Sequence, residues 1–447
     1  MKRNPFVGLP TLNLNAAGID VGSAGHYVAV PIDRDRKPVQ RFGSFTADVH
    51  RMADWLKECG IETVAMESTG SYWIGLYEIL EARGFEVKLV NARHAKTLPG
   101  RKTDILDCQW IQKLHTFGLL NNSFRPEEEI RVLRSYLRQR ENLVVGAGIC
   151  LQHMQKALTE MNVQLANVIS DISGVTGMAI IRKILQGERD PMKLAELKDR
   201  RIKASKEEIA QSLEGNWKEQ LIFVLCQAVE LYDVYQAKIA DCDRKIEAHL
   251  RNFDTKAVHK VPIPKTKSGK KAYRKTPAFD PRAELYRIVG TDLTQIDGID
   301  TITAQVLISE IGLDMSAWKT EKRFASWLGL CPDNRTSGGK VLRRGTRKVV
   351  NRAATALRMA AYTLIRSKSA LGANCRRLRA RLGAPKAITA MTHKLVRLVY
   401  RMIKYSQQYV DKGIRYYEQK YREQKLKRLH KQAAEFNLIL TPAIARE

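Results

Sequence analysis

The sequence predicts an N-terminal α/β domain, a helical middle and a mostly α, strongly basic C-terminal part. Three observations carry this. Residues 1–126 alternate short apolar runs with amphipathic segments in the order β-β-β-α-β-α-β-α. Residues 127–254 have mainly 3.6-residue periodicity. From Asn334 to Val410, 77 residues hold 19 Lys and Arg and no Asp or Glu. At the chain's average acid content roughly eight acids would be expected there, so the gap points to a polyanionic partner.

In the first part, Gly18–Gly22 and Tyr27–Ile32 read as strands around a glycine-punctuated hairpin, and Val39–Phe45 supplies a third. A helix follows, with Thr46 or Asp48 as cap, Val49, Met52, Ala53, Trp55 and Leu56 on one face, and Gly60 at its left-handed end. Strand Glu62–Met66, helix Tyr72–Arg83, strand Val87–Val90 and helix Asp104–Phe117 complete the unit. That element order is the RNase H-like one.

Four carboxylates fall at telling places on this scaffold. Asp20 lies in the middle of the first strand, between Ile19 and Val21, where an unpaired charge is expensive to bury. Glu67 ends the next strand. Asp104 and Asp107, three apart at a helix start, share one face, although capping or the helix dipole alone would account for Asp104. Acids gathered at the carboxyl ends of parallel strands can hold two divalent cations, and an all-oxygen donor set suits Mg²⁺. Asp33 and Asp35, beside Arg34, Arg36 and Lys37, read as a solvated turn.

The middle, 127–254, reads as an antiparallel helical pair or coiled coil that builds an oligomer. Its helices span Glu127–Gln164 and Lys206–Leu250, with Gly146, Gly148, Gly174 and Gly177 interrupting the first part. Residues 255–284 form a basic, proline-bearing linker or arm. Segment 285–410 is the next domain, and 411–447 a basic helix or tail whose Tyr416, Tyr417 and Tyr421 alternate with basic residues. Leu293–Gly312 reads as a helix-hairpin-helix that offers backbone N–H groups near Gly298 to a phosphate. Downstream, Ser337 sits in Arg335-Thr336-Ser337-Gly338-Gly339-Lys340, followed by Arg343, Arg344, Arg347 and Lys348. Glycines there let backbone approach a phosphate, and a hydroxyl so placed can attack phosphorus; serines beside glycines also simply make turns.

Thr255–Glu447 carry 41 Lys and Arg against 14 acids, nearly all of the net charge of +29, so the nucleic-acid footprint is C-terminal. No long apolar run or signal-peptide core is present, and seven scattered cysteines without a C-x-x-C pair read as reduced, buried fillers rather than disulfides or a zinc site. A cytoplasmic location is expected.

Asp20 in Gly-Ile-Asp-Val-Gly, Glu67 in Met-Glu-Ser-Thr-Gly, Lys102-Thr-Asp104-Ile-Leu-Asp107, the Ile-Asp-Gly-Ile hairpin and Ser-Gly-Gly before basic residues together resemble the DEDD transposases of insertion sequences. Residues 15–118 and 285–410 carry the resemblance; the middle matches in helical character alone, and the 255–282 segment is the least matched. It implies a RuvC-like N-terminal domain whose quartet Asp20, Glu67, Asp104 and Asp107 binds Mg²⁺, as two ions, and a C-terminal transposase domain whose Ser337 becomes covalently linked to DNA. It further implies a bridge RNA pairing with donor and target DNA, a composite site shared between protomers of a dimer, or of a tetramer in the synaptic complex, and a bacterial, nucleoid-associated setting. Two rivals are a RuvC-like junction resolvase acting by water attack and a non-enzymatic nucleic-acid scaffold.

Overall fold

The computed structural model describes residues 8–91, 103–257, 277, 279–347 and 349–441, with nothing said of the Arg335 side chain. Lys102, Lys348 and most of the basic 255–284 segment lie outside the described residues. The chain divides into two compact units, Met1–Arg125 and Pro126–Glu447.

The first unit is a five-stranded sheet of order β3-β2-β1-β4-β5. Its strands are β1 (Ala16–Val21), β2 (Gly25–Ala29), β3 (Val39–Gly43), β4 (Thr63–Glu67) and β5 (Glu86–Val90); β1 is antiparallel to β2 and parallel to β4. Helices α1 (Thr46–Glu58), α2 (Trp73–Ala82) and α3 (Asp104–Thr116) follow in the expected order. Strand alternation sorts the faces. Ala17, Ile19, Val21, Val28, Val64, Met66, Val87 and Leu89 join Met52, Leu56, Leu76 and Leu80 in one buried core under α1 and α2. The opposite face carries Gly18, Ala65 and Val90, with Ala65 and Val90 packed on Ile111 of α3.

Local details differ from the sequence reading. Phe45, not Thr46 or Asp48, is the N-cap of α1, and the Asp48 carboxylate accepts from Phe45 N at 3.3 Å. Asp35 is not merely solvated: it accepts the Trp55 indole N–H at 2.9 Å and Lys37 N at 2.6 Å, and these hydrogen bonds lower its pKa. Gly60, Gly84 and Gly118 end their helices with positive φ, as the sequence suggests.

In the second unit α4 (Glu128–Glu160) and α9 (Glu219–Arg251) form a long antiparallel hairpin. Gly146 and Gly148 do not interrupt α4. A side chain at Gly146 would meet the Tyr235 ring, at 2.6 Å, so this glycine lets the two helices approach. Arg140 and Asp243 are buried between them, paired at 2.5 and 3.3 Å. Four short helices sit between the arms: α5 (Leu165–Val168), α6 (Val175–Leu185), α7 (Pro191–Ala195) and α8 (Lys206–Ser212). They share one core with the hairpin through Leu158, Ile181, Leu194, Ile209 and Leu225.

Helices α10 (Pro281–Val289), α11 (Thr301–Ile311), α12 (Glu321–Trp327), α13 (Arg352–Thr363), α14 (Ala370–Leu382), α15 (Ala384–Tyr405) and α16 (Gly413–Glu435) build the rest, with one hairpin, β6 (Arg335–Ser337) and β7 (Lys340–Arg343). The first arm of the expected helix-hairpin-helix is a single 3₁₀ turn, Leu293–Gln295; α11 is its second arm. Of the seven cysteines, all free, Cys59, Cys108, Cys150 and Cys375 are buried, whereas Cys226, Cys242 and Cys331 are half-exposed and so not core fillers. Among the described residues no helix is long and apolar enough to cross a membrane.

Candidate active site

Asp20 is the penultimate residue of β1, not its centre, which puts it at the carboxyl edge of the sheet. Glu67 is the last residue of the parallel neighbour β4 and is buried. Because Ile19 pairs with Met66, Asp20 and Glu67 are the next cross-strand pair. Asp20 shares its face with Gly18, and Glu67 with Ala65, so both carboxylates project from the face that α3 covers.

Helix α3 runs against those strands. Its C-terminal His115 Nε2 donates to Thr63 Oγ1 at the start of β4 (2.9 Å), while Thr63 Oγ1 donates to Glu86 O (3.0 Å). Its middle crosses β1 at Gly18, where any side chain would collide with the backbone of Gln112 and Cys108. Its N-terminal turn therefore lies toward the strand ends. Thr103 caps α3 through Leu106 N (3.3 Å), so Asp104 is not the cap. Asp20 and Glu67 are thus neighbours at the strand ends, and the start of α3, with Asp104 and Asp107, is directed toward the same edge.

Cys108, one of the cysteines read as buried fillers, reports on the charge there. Its thiol is pushed up to about 12, first by burial and then by the Asp20 carboxylate, with a smaller push from Asp107. Gly18 was missed, although its place two residues before Asp20 on the same strand face was the available signal. The four acids form an all-oxygen donor set suited to a hard divalent cation. Among the described residues, no three His, Cys, Asp or Glu side chains stand within joint reach of one ion.

Ser337 belongs to the second unit. It ends β6 at the tip of the β6–β7 hairpin, joined to Lys340 by Gly338 and Gly339, both at positive φ (+54° and +75°), the backbone that two-residue hairpin turns need. Among the described residues no hydrogen bond engages its hydroxyl, and Thr336 to Arg344 are exposed throughout. Lys340 and Arg344 reach into solvent, Arg343 approaches Asp333 at 3.8 Å, and Arg347 donates to Ser326 O at 2.8 Å.

Gly298 is committed to packing. A side chain there would meet Ala360 O and Thr363 Oγ1, at 2.5 and 3.1 Å, and the following helix start is already capped by the Asp300 carboxylate through Thr303 N (2.8 Å). The tail tyrosines are engaged as well. Arg377 of α14 lies 3.2 Å from the Tyr421 ring centroid and 5.6 Å from that of Tyr417, and Tyr417 OH donates to Asn374 Oδ1.

Two family models match the chain. A DEDD-domain model of the IS110 group, described as "Transposase", covers residues 17–163, and a model described as "Transposase IS116/IS110/IS902 family" covers residues 290–375. Together they take in more than half of the sequence, including the four acids and the Ser337 hairpin. No curated protein matches.

Proposed function

The chain belongs to the IS110-type DEDD transposases, enzymes that act on DNA and whose DEDD domain implies dependence on a divalent metal, and from that premise we propose how its residues divide the work. Asp20, Glu67, Asp104 and Asp107 hold two Mg²⁺ ions, whose chemistry there is Lewis-acid activation of phosphate oxygens. Asp20 and Glu67 side by side at the strand ends, with the start of a helix held close over Gly18 directed toward the same edge, support this reading. Buried Glu67 and the strand position of Asp20 fix two donors on rigid backbone, and the α3 start brings the other two.

Ser337 is the nucleophile. Its Oγ bonds to phosphorus as the bond from phosphorus to a DNA sugar oxygen breaks, and the hydroxyl proton passes to that leaving oxygen. The phosphodiester is exchanged rather than hydrolysed, so its energy is kept for rejoining to a second strand. The exposure of Ser337 on a narrow hairpin supports the role, because a duplex can reach it without the protein opening. Lys340, Arg343 and Arg344 around it offset phosphate charge; Arg335, Arg347 and Lys348 belong to the same basic segment. A bridge RNA supplies sequence choice by pairing with donor and target DNA, and leaves the protein to hold backbone. The active assembly is a homo-oligomer, a dimer that forms a tetramer in the synaptic complex, built through the α4–α9 hairpin, with the site shared between protomers.

A metal titration tests the carboxylate half. Wild type with RNA and end-labelled DNA should cleave in Mg²⁺ and not in chelator, while Asp20→Asn should lose cleavage by at least about 10³-fold yet bind DNA as wild type does. Normal cleavage by Asp20→Asn would remove the quartet from the mechanism.

A further inference from the structure

The sheet register places two more functional groups in line with the carboxylates. Tyr27 of β2 stands directly opposite Asp20, and Arg41 of β3 directly opposite Tyr27. Cross-strand partners point to one face of a sheet, so Arg41, Tyr27, Asp20 and Glu67 form a single row on the α3 side, at the edge where the acids gather. The Arg41 guanidinium lies 6.0 Å from the Tyr27 ring centroid and donates to Ala24 O at 3.5 Å, in the turn that follows Asp20. Gly25 makes room for it. This glycine has an ordinary φ, but a Cβ there would stand 3.0 Å from Arg41 Nη2 and 3.2 Å from Cζ, as well as 2.7 Å from Phe42 O.

Arg41 and the turn residue Arg36 are the described arginines of this unit that no ion pair engages, and of the two Arg41 lies in the row with the carboxylates. Arg34, Arg51, Arg83 and Arg125 of the same unit are each paired with a carboxylate: Asp33, Asp48, Asp54, and Glu78 with Glu81. Arg41 shares a face with two acids and is exposed, yet no ion pair engages it among the described residues. A guanidinium without an ion pair, in the row of the carboxylates, is suited to an anion that arrives from outside. A cluster of acids repels a DNA strand everywhere except at the phosphate its cations neutralise, so the neighbouring phosphate needs a cation from the protein.

We infer that Arg41 and Tyr27 form a seat for a non-scissile phosphate of the DNA strand lying across the carboxylates. Two guanidinium N–H groups donate to its non-bridging oxygens, and the phenol donates to an oxygen of the same or the adjoining nucleotide. The seat fixes which phosphodiester lies over Asp20 and Glu67. Two strand spacings separate Arg41 from Asp20, about 10 Å, which puts the seated phosphate within about three nucleotides of the scissile one. The inference rests on the carboxylate edge being the cleavage centre.

Steady-state cleavage of an end-labelled duplex carrying the element's own terminus, with RNA and Mg²⁺, tests it, using wild type, Arg41→Ala, Arg41→Lys and Tyr27→Phe. Arg41→Ala should raise KM roughly tenfold with kcat changed far less and the thermal midpoint unmoved; Lys should restore part of the loss, and Tyr27→Phe should cost less. Neutral methylphosphonates placed one at a time then locate the contact. At one position within about three nucleotides of the cut, the substitution should weaken wild type and leave Arg41→Ala no weaker than before. A wild-type KM for Arg41→Ala, or equal losses for both proteins at every position, would overturn the seat. Failure of the underlying cleavage centre would show separately, as normal cleavage by Asp20→Asn.

Discussion

His115 adds, beside buried His26, to the acid sensitivity of the first unit. It is 1% exposed under the sheet, and burial, with Lys88 adding to it, depresses its pKa to about 4. The folded state therefore resists the proton that the unfolded chain accepts near pH 6.5, so this contribution to stability is complete above pH 6.5 and is lost as pH falls toward 4. The loss should be on the order of 3 kcal/mol. Denaturant unfolding at stepped pH should show it, and His115→Gln, which keeps a donor for Thr63 Oγ1, should flatten the difference from wild type. Parallel curves for the two proteins would contradict the assignment. At this scale the sequence was informative where chemistry was unusual. Asp20 between two aliphatic residues on a strand has few structural uses, and it stood out. Tyr27 and Arg41 did not, because only the register reveals that they share a row with Asp20. Cys108 looked like any core thiol until α3 was laid across β1.

The α3–β1 crossing is the element on which the quartet depends. Gly18→Ala should push α3 off the sheet, destabilise the unit by about 1–3 kcal/mol and reduce metal-dependent cleavage beyond what stability explains, since Asp104 and Asp107 move with the helix. Thermal melts read with cleavage at a temperature where the variant stays folded check this; cleavage at the wild-type rate would show that the helix start can shift freely. In the α4–α9 hairpin, Arg140→Ala should cost about 3–5 kcal/mol by taking the guanidinium away from the buried Asp243 carboxylate, measurable by chemical denaturation. Long helices and the strands of the first unit were legible because each repeats a period many times. The α5–α8 module was not. Its helices are 4 to 11 residues long, too short for periodicity to separate them from loops, and they are held by a core shared with the hairpin. Gly146 misled for a related reason, since its partner Tyr235 lies 89 positions away. A 3₁₀ turn stood where a first hairpin helix was read, because the apolar pattern of Leu293 and Ile296 fits either.

Across the whole molecule, charge is divided in the way a DNA-exchanging enzyme requires: the carboxylates lie in the nearly neutral first unit, and the positive excess lies in the second. Binding to DNA should weaken steeply with salt, each neutralised phosphate adding about 0.9 to the log–log slope, and a slope near zero would contradict a phosphate-reading surface. The acid-free stretch from Asn334 to Val410 was visible in the sequence, and the exposed hairpin at its start shows where that charge meets solvent. The direct trial of the division between carboxylates and serine is the protein–DNA adduct. Wild type, RNA, Mg²⁺ and end-labelled DNA are denatured, digested and mapped by mass spectrometry. The expected result is a nucleotide bonded to Ser337, absent in Ser337→Ala and in Asp20→Asn; strand cleavage with no adduct, or an undiminished adduct in Ser337→Ala, would contradict it.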